Sequence, residues 1–134
     1  MKKRKRKCDY IGSRNANLRR EFRALLGSPG CTLTRLFSIL ATVPADRFYI
    51  SEERAYSLLR RRLDSSVCSA QKAASLGRMR PNKAAMLLEI EDRVRALLES
   101  EPSLTLKEAV FEVVNSPAPS FYLSASSIKT LIYA

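Results

Sequence analysis

The chain repeats itself: with residue 32 set against residue 105, the stretch 32–61 meets 105–134 without a gap. Thr32-Leu33 meets Thr105-Leu106, Pro44-Ala45 meets Pro117-Ala118, Phe48-Tyr49-Ile50-Ser51 meets Phe121-Tyr122-Leu123-Ser124, and Leu58 meets Leu131. A repeat restricts the fold strongly, because each copy has to bury the same face in the same way. Identity at eight of 30 positions would not carry that reading alone; the apolar spacing does.

In the first copy Leu33, Leu36, Phe37, Leu40 and Ala41 recur at helical spacing, and their partners are Leu106, Ala109, Val110, Val113 and Val114. After the FYxS stretch, Ala55, Leu58 and Leu59 are matched by Ile128, Leu131 and Ile132. Upstream, one place out of that register, Leu18, Phe22, Leu25 and Leu26 fall on Ile90, Val94, Leu97 and Leu98. The spacing predicts three helices per copy: about 15–26, 32–42 and from Ser51 in the first, and about 81–100, 106–115 and 125–133 in the second. Gly27-Ser28-Pro29-Gly30 stops the first helix. Pro44 bars the second from continuing. Ser51, Thr105 and Ser124 are suitable N-caps, Glu52 and Glu53 suit a helix start, and Pro81 suits a first helical turn. Phe48, Tyr49, Phe121 and Tyr122 are expected to fold inward and wedge the helices apart.

The expected fold is all-α: two tandem trihelical, helix-turn-helix-like pseudo-repeats packed as one six-helix body. Its expected parts are a basic, disordered arm at 1–13, a first repeat at 14–63, a connector at 64–80 with some helix around Gln71–Leu76, and a second repeat at 81–134. A unit of about 50 residues buries a small share of its surface and is marginal alone, which favours packing the copies together.

The chain has 134 residues, no His and no Trp. Without His there is no Ser-His-Asp or Cys-His device and no His-bearing metal site. Cys8, Cys31 and Cys68 are far apart and odd in number, so they read as reduced thiols of a cytoplasmic protein rather than a disulfide framework. Gly12, Gly27, Gly30 and Gly77 match no phosphate-loop spacing, and Glu89 with Asp92 reads as a surface pair. The expectation is a non-enzyme with no cofactor and no metal. No run of about 18 apolar residues is present, and none follows the charged opening, so neither a membrane span nor export is expected.

Charge points to a partner. The 24 Lys and Arg outnumber 13 Asp and Glu, a net +11. Residues 2–7 hold six cations, residues 8–80 hold thirteen against six acids, and residues 81–134 hold five against seven. A polyanion would be drawn to the leading half. The expected phosphate contacts are Lys2, Lys3, Arg4, Lys5, Arg6 and Lys7 of the arm and Arg19, Arg20 and Arg23 of the first helix. On the third helix of the first copy, Arg54, Ser57, Arg60 and Arg61 face away from the apolar arc, while Arg62 sits at its edge, where its stem can snorkel. On the last helix Ser126, Ser127 and Thr130, with Lys129 to one side, offer hydroxyls to base edges.

A helix pair, a turn and a capped third helix, closing here on SASSIKTLIYA, resemble helix-turn-helix DNA-binding modules, although NSPAPSFYLS is longer than their usual turn. Through RFYISEERA, MRPNKAAMLLEI and PAPSFYLSASSIK the chain also resembles small basic all-helical proteins of Bacteroidetes genomes and mobile elements. The resemblance implies boundaries but no site residue. The function expected is nucleic-acid binding, double-stranded DNA ahead of RNA, in the cytoplasm or at a bacterial nucleoid. The alternative is a phage or mobile-element adaptor, or a homodimer formed through the second repeat, with Tyr133 and Phe111 as aromatic anchors.

Overall fold

The computed structural model describes residues 9–27 and 32–133. Its helices are α1 (Asp9–Leu26), α2 (Leu33–Leu40), α3 (Glu52–Arg62), α4 (Ser69–Gly77), α5 (Pro81–Ser100), α6 (Leu106–Val114) and α7 (Ala125–Tyr133). Among the described residues there is no strand, only one isolated antiparallel bridge between Ala45 and Ala118.

Local chemistry sets the helix starts. Thr32 Oγ1 accepts from the Arg35 N–H at 3.2 Å, and Ser51 Oγ from the Arg54 N–H at 3.1 Å. Ser124 Oγ accepts from the Ser127 N–H at 3.2 Å. Thr105 and Glu108 close a reciprocal capping box, with bonds of 3.2 and 2.9 Å. Pro81 opens α5, where its missing N–H costs nothing. Thr32 and Thr105, which cap α2 and α6, are equivalent positions of the repeat, and so are Ser51 and Ser124, which cap α3 and α7.

Three boundaries differ from the sequence reading. Helix α1 starts at Asp9 rather than near Asn15, so residues 9–13 are helical and not part of an arm. Gly12 looks like a breaker, yet the space about it is open and a Cβ there would meet nothing, so its cost is only the intrinsic propensity term. In the connector the helix expected around Gln71–Leu76 extends from Ser69 to Gly77 as α4; it has no buried residue and no side-chain cap, so neither periodicity nor a cap residue marked its ends. Finally, the compact units are not 14–63 and 81–134.

One unit takes the chain up to Tyr49 and again from Pro117, and the other is Ile50–Ser116. In the first, α1, α2 and α7 pack on one another; in the second, α3 packs on α5 and α6. Each expected trio has thus given its third helix to the other. The joining segments, 41–51 and 115–124, are far longer than a tight helix-turn-helix turn, and along them the chain passes from one unit to the other.

The core of the first unit is Leu18, Leu36, Phe37, Leu40, Phe48, Tyr49, Phe121 and Ile128, all buried. Phe48 stacks on Tyr122 and Tyr49 on Phe121, each pair with centroids 6.1 Å apart. Such pairs are each worth about 0.5–1.5 kcal/mol beyond area burial. Phe48, Tyr49 and Phe121 fold inward as expected, whereas Tyr122 stays half-buried, with φ at 56°. Asn17 is buried beneath them, its Oδ1 accepting from the Asp46 N–H at 2.8 Å and the Tyr49 hydroxyl at 2.9 Å.

The core of the second unit is Ala55, Leu59, Met86, Leu87, Ile90, Val94, Ala109, Val110, Val113 and Val114. Glu91 is 7% exposed on the inner face of α5. The Arg62 guanidinium bonds Glu91 Oε1, and Arg95 reaches Oε2 at 3.1 Å. A buried carboxylate is tolerable only with such partners.

Candidate nucleic-acid interface

Lys2, Lys3, Arg4, Lys5, Arg6 and Lys7 lie outside the described residues, as do Cys8 and Cys31. The other expected contacts divide between the two units. Arg19, Arg20 and Arg23 of α1 and Ser126, Ser127, Lys129 and Thr130 of α7 belong to the first. Arg54, Ser57, Arg60 and Arg61 of α3 belong to the second.

In the first unit α7 packs against α1, and Arg19 Nη2 donates to the Leu131 carbonyl at 3.4 Å, near the end of α7. Arg20 is committed elsewhere: its Nη2 meets both Asp46 carboxylate oxygens at 2.8 and 2.9 Å, with Glu21 at 3.6 Å. The Arg20–Asp46 pair is exposed, its side chains 55% and 57% open, so Arg20 is engaged locally while still facing solvent. Arg23 is exposed and has no ion pair among the described residues.

The outer face of α7 holds Ser126, Ser127, Lys129, Thr130 and Tyr133, all exposed, and no acid. Some hydroxyls are already engaged locally. Ser124 Oγ lies 3.2 Å from Ser126 Oγ and 3.0 Å from Ser127 Oγ, and Thr130 Oγ1 donates to the Ser126 carbonyl at 3.1 Å. Each hydroxyl keeps lone-pair capacity for an outside donor.

On α3, Arg54, Ser57 and Arg61 follow at i, i+3 and i+7, so they share one exposed face. Arg60 lies over the Tyr56 ring at 5.8 Å. The face is not free of acid. Glu53 and Asp64 are exposed beside it, and hydrogen bonds from Ser66, with Lys72 and Arg60 nearby, hold the Asp64 carboxyl below its ordinary value. Arg62 sits at the core edge as expected, spent on Glu91.

The exchange of third helices redistributes the charge. The sequence of the first unit holds thirteen Lys and Arg against three Asp and Glu, a balance of +10. The second holds eleven against ten, +1. Without Lys2–Lys7 the first still holds seven cations against three acids. The contiguous leading half is therefore not the electrostatic unit; α1 and α2 with α7 are. Arg19 and Arg23 come together with the α7 hydroxyls, and not in one unit with Arg60 and Arg61.

Two features escaped the sequence reading. Glu91 sits one place past the core position Ile90 and reads as surface, although Arg62 at the opposite core edge was a signal for a buried acid. A groove between α2 and α7, of about 420 Å³ and lined by Leu33, Phe37, Ser126, Lys129 and Tyr133, could not be read because it joins opposite ends of the sequence. Among the described residues no helix is long and apolar enough to cross a membrane. Comparison with known protein families, curated proteins and solved structures gives no match.

Proposed function

We propose that this chain is a non-enzymatic nucleic-acid-binding protein that grips duplex DNA through the α1–α2–α7 unit. Helix α7 faces a groove, and Arg19, Arg23 and the basic run preceding α1 contact phosphates. The single observation that carries the reading is the concentration of the net charge on the unit that also holds the acid-free outer face of α7. An α-helix, about 10–12 Å across with its side chains, enters a major groove about 12 Å wide. Arg54, Ser57, Arg60 and Arg61 of α3 become a secondary contact.

The same reading takes the chain as two copies of one trihelical plan that exchanged third helices. Caps and helix starts at equivalent positions of the two copies support it, and so does the bridge between Ala45 and Ala118, which are themselves equivalent.

The test is an electrophoretic shift on blunt duplex across about 50–200 mM salt. Removing Lys2–Lys7 should flatten the salt slope by about 5, at about 0.9 per phosphate. Arg19→Ala with Arg23→Ala should weaken binding further, and Arg60→Ala with Arg61→Ala should weaken it less. Affinity at moderate salt that survives the deletion and the α1 pair together would refute the mechanism.

A further inference from the structure

We infer that the groove between α2 and α7 takes one unpaired nucleotide, so the preferred target is a duplex with a single-stranded extension; this rests on the nucleic-acid reading above. Three observations converge on the groove. First, its volume of about 420 Å³ lies within the range of ligand sites, about 300–1,000 Å³. By contrast, the cleft beneath α4, about 20 Å³, holds little more than a water, and the groove between α5 and α6 carries Glu112.

Second, its walls are aromatic. Phe22, half-buried, stacks on buried Phe37 at 5.9 Å, and Phe37 meets Tyr133 edge-on at 5.8 Å, an aromatic series that ends at the surface. Tyr133 keeps 59% of its surface exposed, leaving ring area for another flat partner. Bases stack on such rings whatever their identity, because every base has a π face.

Third, the polar groups suit a nucleotide and, among the described residues, no acid lines the groove. Ser126, Lys129 and Tyr133 follow at i, i+3 and i+7 along α7, so the ammonium stands one turn from the ring. A base on Tyr133 would place its phosphate within reach of Lys129, with the Ser126 and Thr34 hydroxyls available to sugar or base edge. An acidic peptide would satisfy the ammonium but leave the aromatic wall unused.

The experiment compares one duplex, blunt or carrying about five unpaired nucleotides, with the full-length protein by fluorescence anisotropy. The expected result is about tenfold tighter binding of the extended duplex, in line with one stacked base. Tyr133→Leu should abolish that preference, so that the two duplexes bind alike, and Tyr133→Phe should restore it. Thermal melting of both variants checks the fold. Equal affinity of the wild type for the two duplexes, or a preference that survives Tyr133→Leu, overturns this inference and leaves duplex binding standing. Failure of the wild type to bind either overturns both.

Discussion

Ala45 and Ala118 trade main-chain hydrogen bonds: each N–H donates to the other's carbonyl at 3.0 Å. Setting 32–61 against 105–134 aligns the two, and the stacked pairs Phe48 with Tyr122 and Tyr49 with Phe121 flank them in reciprocal fashion. Equivalent points of the two crossing segments meet here, and both residues are buried, at 3% and 2% exposure.

Ala118→Pro deletes one of those donors and strands the Ala45 carbonyl in a dry site. A loss of about 1–3 kcal/mol is expected, read as a lower urea midpoint. Ala118→Ser, which keeps the N–H, should cost less. Equal losses would mean that the bridge itself adds nothing.

Because each compact unit holds helices from both halves, the loop before α4 is dispensable for cohesion. A protease site inserted between Ser65 and Val67 and then cut should leave the two fragments co-eluting from a sizing column. Fragments that separate without denaturant would show that the third helices had not been exchanged.

Glu91 has two cationic partners, Arg62 and Arg95, and its side chain is 10% exposed. Arg62→Ala leaves the carboxylate buried with only the more exposed of the two. A destabilisation of about 2–3 kcal/mol is expected, below the roughly 3–5 typical of a fully buried pair stripped of its partner. Arg62→Met with Glu91→Leu, which removes both charges and keeps the volume, should recover most of it. Chemical denaturation of the three proteins is the measurement, and a double variant no better than the single would contradict this account.

Burial, aided by the Asp46 carboxylate, pushes the Tyr49 phenol above its ordinary value of 10.0. The unfolded chain therefore releases this proton first as pH rises. Stability present below pH 10 is lost upward from there, until the folded phenol ionises as well. Tyr49→Phe should cost about 1 kcal/mol near neutrality, through the lost bond to Asn17, and should flatten the decline that sets in around pH 10 and continues above it. Urea midpoints across that range would reveal an unchanged slope if Tyr49 were not responsible.

Helix positions were largely legible because they follow from local facts: Thr32, Ser51, Thr105 and Ser124 cap, Pro81 opens, and Leu36, Phe37 and Leu40 repeat at helical spacing. Helix α4 was legible only in its middle, around Gln71–Leu76, since nothing on it is buried and Cys68 supplies no cap bond. Pairing of the helices was not legible either. Periodicity shows that α3 has a face to bury, but Ala55 and Leu59 would fit the face of α1 and α2 or that of α5 and α6 equally well. The chain passes between the units in segments 41–51 and 115–124, whose course periodicity does not reveal. The site followed the same division: exposure of Arg54, Ser57 and Lys129 could be read from helical wheels, whereas their grouping depended on the exchange.

Those two segments are held by main-chain bonds and stacked rings at fixed positions, while residues 64–68 are held by little beyond the Asp64–Ser66 turn. Added length will therefore be absorbed differently along the chain. A spliced tag or an extra domain after Ser65 should be accommodated, whereas a single insertion beside Ala45 or Ala118 would throw the facing pairs out of step.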